Sequence, residues 1–174
     1  MDAFRAIHEG WRQPWLDPVM KGITDTGLGS VQIPLLVLLY LFLPRIRREV
    51  GACMAAFALS GLVRLAIMRA ADRMRPSNFG FSEPFEQVFG NSSFPSGHTT
   101  TSFAIAFALL LLLWGAPKAW VGWIAVVWAS LVGVSRVYVG VHFPTDVLAA
   151  AGLGLAAAAA LEIWRRRAHV EQAP

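Results

Sequence analysis

The 174-residue chain is predicted to fold as an all-α bundle of five to six transmembrane helices in a single domain. Hydrophobic residues make up 56% of the sequence, and mean hydropathy is +0.52. The apolar residues gather into runs approaching the roughly 20 residues that a membrane-crossing helix needs. A membrane β-barrel would instead show short segments of alternating polarity.

The runs fall at 27–43, 51–68, 99–115, 120–138 and 144–164. Residues 1–26 hold Asp2, Arg5, Glu9 and Arg12 among scattered aromatics, without the uninterrupted apolar stretch of a cleaved signal peptide, and are expected to form an interfacial helix. A sixth, short span through 15–28 would place Arg5, Arg12 and Lys21 on the opposite side, but Lys21, Asp25 and Gly27 interrupt it. Residues 27–164 are the expected transmembrane core and 165–174 a cytoplasmic tail.

Five spans put segments 44–50, 115–119 and the tail on one face, with Arg45, Arg47, Arg48, Lys118, Arg165, Arg166 and Arg167. Basic loops mark the cytoplasmic side. Trp114, Trp120 and Trp164 fall near that boundary, where an indole keeps its ring apolar and its N–H wet. Segment 149–160 is almost all Ala, Gly and Leu, which permits close helix packing. The lone Cys53 excludes an intrachain disulfide, and the net charge of +4 reflects the basic loops and an arginine cluster, so nucleic-acid binding has no support.

The opposite, extracytoplasmic face receives segments 69–95 and 136–143, and, in them or within three residues of their ends, every residue of the motifs that follow. Pro95-Ser96-Gly97-His98 precedes a helical run, so the amides of Ser96, Gly97 and His98 are expected among the open donors of a helix start, where anions bind. The Ser96 hydroxyl adds a donor; the tripeptide is equally an ordinary turn and N-cap sequence. His142 precedes Phe143-Pro144 and projects from a turn, because Pro144 suits the first helical turn and disfavours helical geometry before it. Asp146 is placed to accept from one imidazole nitrogen while the other attacks phosphorus; alternatively it is a first-turn acid favouring the helix dipole. Arg75 and Arg136 end apolar runs, where a guanidinium binds phosphate oxygens in a fork or merely snorkels to the interface.

Arg75-Pro76, Pro95-Ser96-Gly97-His98 and Ser135-Arg136 with His142 and Asp146 resemble the three signature motifs of the type 2 phosphatidic acid phosphatase (PAP2) family, which shares its site with vanadium haloperoxidases. The resemblance implies a metal-independent phosphatase without a cofactor, with His142 as nucleophile, Asp146 orienting it and His98 protonating the leaving oxygen. Arg75, Ser96, Gly97 and Arg136 would hold the phosphate. The family usually has a lysine where this chain has Met68, and Arg69 is taken as its replacement in preference to the deeper Arg64. Haloperoxidase chemistry is disfavoured because those relatives are usually soluble.

The expected function is hydrolysis of a lipid phosphate or diphosphate at a bacterial inner membrane, with membrane lipids around the protein. Trp15-Leu16-Asp17 resembles small bacterial undecaprenyl-diphosphate phosphatases, so undecaprenyl diphosphate is the first expected substrate, with phosphatidylglycerophosphate, phosphatidic acid and lipid A phosphates as alternatives. Phe79, Phe81, Phe85 and Phe89 are candidate lipid contacts. A non-catalytic transporter or anionic-lipid-binding protein would need the cations but not the two histidines.

Overall fold

The structure, a computed structural model, describes residues 2–80, 82 and 92–171. Its helices are α1 (Asp2–His8), α2 (Leu16–Asp25), α3 (Gly29–Phe42), α4 (Arg47–Ala70), α5 (Gly97–Leu112), α6 (Ala119–Tyr138) and α7 (Pro144–Glu171). Short 3₁₀ turns at Pro44–Ile46 and Pro76–Phe79 start on prolines, whose fixed φ suits a first helical position. Phe81, Phe85 and Phe89 lie outside the described residues, whereas Phe79 is exposed.

All five apolar runs are helical, but among the described residues three helices pass as spans by length and apolarity: Pro44–Ala70, α6 and Pro144–Ala168. A fourth is counted if α2 and α3, which meet at a 57° bend, form one broken span. The expectation of five to six spans was therefore high. The reason is length: α3 has 14 residues and α5 has 16. At 1.5 Å per residue each falls short of a hydrocarbon core of roughly 30 Å.

α5 tolerates its shortness because it is the inner helix, packed against α4, α6 and α7. It buries Thr99, Thr100, Ser102, Phe103, Ala104, Ala106, Ala108 and Leu110. Leu36, Val50, Cys53, Ala56, Ala104, Ala108 and Ala158 form one core across α3, α4, α5 and α7. The small residues of α7 let it approach α5 closely: a Cβ at Gly154 would lie 2.7 Å from the Ala104 amide nitrogen.

The N-terminal segment is packed more firmly than an interfacial helix requires. Ile7, Leu16, Met20 and Ile23 cover Tyr138, Val139 and Val141, so α1 and α2 cap the turn between α6 and α7. Gly140 makes that turn with φ +83°, a conformation favouring glycine. Its missing side chain also leaves room for His8, whose Cε1 would lie 2.8 Å from an added Cβ. His8 Nδ1 donates to the Tyr138 carbonyl at 2.7 Å, and the Tyr138 hydroxyl donates to Asp17 Oδ1 at 2.6 Å. Asp17 of the Trp-Leu-Asp segment thus has a structural task.

Candidate active site

The C-terminal ends of α4 and α6 and the N-terminal ends of α5 and α7 meet at one end of the bundle, and this gathers every motif residue. α5 and α7 start side by side: the Ser96 amide donates to the Asp146 carbonyl across 3.4 Å. Two helix N-termini therefore aim partial positive charge at the same place, which favours an anion. The three-amide cradle expected at 96–98 is reduced by that bond, since the Ser96 N–H is engaged. The Ser96 side chain makes no N-cap bond either; its oxygen accepts from Thr99 Oγ1 at 3.0 Å.

His142 sits in the turn before α7, 2% exposed. Its two nitrogens face different partners. Nε2 lies 3.4 Å from Arg75 Nη1, and the same Arg75 nitrogen donates to the Val141 carbonyl at 3.2 Å. Nδ1 lies 3.7 Å from Asp146 Oδ2, close enough for charge to act but too long for a hydrogen bond. Burial, joined by Arg136 and Arg75, pushes the His142 pKa down to about 4 against the opposing pull of Asp146. At neutral pH the imidazole is uncharged and keeps a lone pair.

Asp146 is fully buried, and its carboxylate is shared. Oδ2 accepts the Phe143 amide at 2.9 Å, the reach-back of a helix capping box. Oδ1 accepts from Arg73 Nη1 at 2.7 Å, and that nitrogen also donates to Thr145 Oγ1 at 2.8 Å. Asp146 thus caps α7 through the Phe143 amide, and it stands beside His142 without the hydrogen bond to the imidazole that the sequence reading expects.

His98 faces the same space from α5. Arg136, His142, Arg64 and Arg75 all lie near enough to act on its charge, and its buried Nε2 has no hydrogen-bond partner among the described residues. An acceptor or donor from a bound phosphate ester would complete it. Arg136, 3% exposed at the end of α6, donates from Nη1 to Thr24 Oγ1 at 2.7 Å.

Arg69, the expected replacement for the first-motif lysine, is exposed at the end of α4. Arg64 enters the site instead: its Nε donates to the Pro95 carbonyl at 3.2 Å. A Cβ on Gly97 would come within 3.1 Å of its Cζ, so the glycine makes room for this guanidinium. Ser92 and Ser93 fold back beside the chain leaving α4, with the Ser93 amide on the Arg73 carbonyl at 2.7 Å. α5 consequently begins level with Arg64 rather than with the last turn of α4.

Arg73 and Thr24 were not foreseen. Arg73 had a signal: it precedes Arg75 by two in an extended stretch, where alternate residues share a face. Thr24 had none, because nothing local links it to a residue more than a hundred positions away.

The fold and site define a helical membrane protein with two histidines and a buried acid beside four arginines, Arg64, Arg73, Arg75 and Arg136. Residues 49–169 match the PAP2 superfamily, and the chain belongs to that family. It is 38% identical over 154 residues to Phosphatidylglycerophosphatase B of Bacillus subtilis (strain 168), covering 83% of this chain and 72% of that protein. It is 30% identical over 149 residues to Undecaprenyl-diphosphatase BcrC of the same organism, covering 84% of this chain and 74% of that one. The crystal structure of a transmembrane PAP2 type phosphatidylglycerolphosphate phosphatase from Bacillus subtilis superposes with a TM-score of 0.78 at 31% identity, covering 95% of this chain and 86% of that one. The protein is an integral membrane lipid phosphatase, a hydrolase, and the reading as a non-catalytic transporter gives way to it.

Proposed function

We propose that the chain hydrolyses the terminal phosphate of a membrane lipid through a phosphohistidine at His142, without a metal ion. The observation that carries this is the split environment of the imidazole: Nε2 faces the phosphate-binding Arg75 and Nδ1 faces Asp146. The neutral Nε2 lone pair attacks phosphorus, a P–N bond forms and the bond from phosphorus to the lipid oxygen breaks. His98 gives its proton to that oxygen; the negative charge of the bound phosphate favours the imidazolium that donates it. Water, deprotonated by His98, then attacks the phosphohistidine, the P–N bond breaks and inorganic phosphate leaves. Arg64, Arg75 and Arg136 offset the charge on the phosphoryl oxygens, the task a metal ion has in other phosphatases.

An amphiphilic substrate fits the surroundings. A cavity of about 550 Å³ between α3, α4, α5 and α6 starts at Thr26 and Ser102, one helical turn beyond His98, and continues along Leu35, Leu36, Leu39 and Leu109. Such a lining suits a hydrocarbon chain. The structural task of Asp17 weakens the case for undecaprenyl diphosphate made from Trp15-Leu16-Asp17. The 38% likeness to Phosphatidylglycerophosphatase B makes phosphatidylglycerophosphate the first substrate of the reading and undecaprenyl diphosphate the second. Phosphate release from a detergent-solubilised panel of both, with phosphatidic acid and lipid A phosphates, in EDTA, ranks them. Release from none of the four defeats the reading.

The same reading places the site on the extracytoplasmic side, supported by the basic segments at the bundle's other end. In a Cys53→Ser background, Asn78→Cys should react with an impermeant thiol reagent on intact cells and Arg166→Cys should not. The reverse pattern would turn the site inward.

A further inference from the structure

We propose that Thr24, at the corner between α2 and α3, is a positioning residue of this phosphatase that sets the Arg136 guanidinium for phosphate capture. The proposal rests on the reading of Arg136 as a phosphate ligand. Thr24 is completely buried, and its hydroxyl oxygen accepts from Arg136 Nη1 at 2.7 Å. A guanidinium is a rigid planar fork, so fixing one nitrogen fixes the direction of the others.

The corner that carries Thr24 is built to stay in place. Gly27, three residues on, lies against His98 and α6: an added Cβ would come within 2.9 Å of His98 Cβ and 2.8 Å of Val132 Cγ1. The Gly27 amide bonds the Thr24 carbonyl at 2.9 Å, and Thr26 Oγ1 accepts from Trp128 Nε1 at 3.1 Å. The 57° bend between α2 and α3 therefore forms a wall of the site, touching Arg136 on one side and His98 on the other. Both Thr24 and Gly27 precede residues 49–169, the part that matches the family, so this wall is supplied from outside the signature motifs.

The test uses the full chain in detergent, with phosphate release from dioctanoyl phosphatidic acid and inhibition by orthovanadate as probes. Thr24→Val, which keeps the shape and removes the hydroxyl, should raise both KM and the vanadate inhibition constant about tenfold, the weight of one charged hydrogen bond. Thr24→Ser should restore both, and the melting temperatures of the two variants should agree. In an Arg136→Gln background, Thr24→Val should add nothing, since its effect passes through Arg136. If Thr24→Val does not fold, Thr24→Ala is read against Thr24→Ser by the same criteria. Equal impairment of the Val and Ser variants would reduce Thr24 to packing, and a silent Thr24→Val beside a damaging Arg136→Gln would overturn its role. A silent Arg136→Gln would remove the phosphate-ligand reading itself, and the inference with it.

Discussion

Arg73 Nη1 donates to Asp146 Oδ1 at 2.7 Å, while His142 Nδ1 stands 3.7 Å from the other carboxylate oxygen. The buried acid is thus paired with an arginine and held by the Phe143 amide, with the imidazole beyond hydrogen-bond distance. Arg73 also lies over the Phe143 ring, 4.9 Å from its centroid, which fixes the guanidinium at the mouth of the site. A carboxylate buried without a cation would be costly in this position.

Removing this arginine should act on chemistry through Asp146. Arg73→Gln is expected to lower kcat about 10–100-fold, in keeping with the loss of a charge-assisted hydrogen bond. Asp146→Asn should cost about 10²–10⁴-fold, because the amide cannot stabilise the imidazolium character that develops on His142. The double variant should be little worse than Asp146→Asn alone. Additive losses in phosphate release would show that Arg73 works on the substrate and not on the acid.

The exchange of Arg69 for Arg64 gives a matched pair. Arg64→Ala should raise KM or lower kcat at least about tenfold, as a guanidinium beside the phosphate is lost. Arg69→Ala should stay near the wild-type rate, since its side chain is exposed at the end of α4. Kinetics on the two single variants decide it. A damaging Arg69→Ala with a silent Arg64→Ala would mean that α4 is turned or unwound near Met68 when substrate binds.

The helices and the site were legible to different depths. Period and apolarity place α3 to α7, because a chain in lipid has few ways to satisfy its backbone. His98, Arg136, His142 and Asp146 could be placed because Pro95, Gly97 and Pro144 mark helix starts that bring neighbouring residues to one end. Depth along the bundle was not legible. Arg64 and Arg69 are five residues apart, a vertical difference of roughly 7–8 Å, and only the course of residues 92–96 decides which meets α5. Thr24 depends on a contact between distant segments, which no local pattern encodes.

His142→Ala should abolish turnover and leave the detergent melting temperature near that of the wild type, since the side chain that supplies the covalent route is not a core hydrophobe. Orthovanadate should inhibit the wild type, as its oxyanion can take up the geometry of the transferring phosphoryl group, and activity should persist in EDTA. A variant with wild-type rates would refute the nucleophile. Activity lost on chelation and restored by a divalent ion would replace the metal-free mechanism.

The depressed pKa of His142 fixes the sign of a pH effect on stability. The unfolded histidine takes up its proton near pH 6.5, while the folded one resists protonation until about 4. Between those values the unfolded chain binds more protons, so this group's contribution to stability is present above pH 6.5 and is lost as the pH falls towards 4. His142→Gln has no proton to gain there. Its melting temperature should therefore fall less steeply than that of the wild type across this window, both measured in the same detergent and buffer series. The acid limb of kcat/KM should likewise lie below pH 6.5, because the attacking Nε2 stays neutral. Parallel melting profiles for the two proteins would mean that folded His142 takes up its proton near pH 6.5, as the unfolded chain does, and that the Nε2 lone pair is lost as the pH falls below that value.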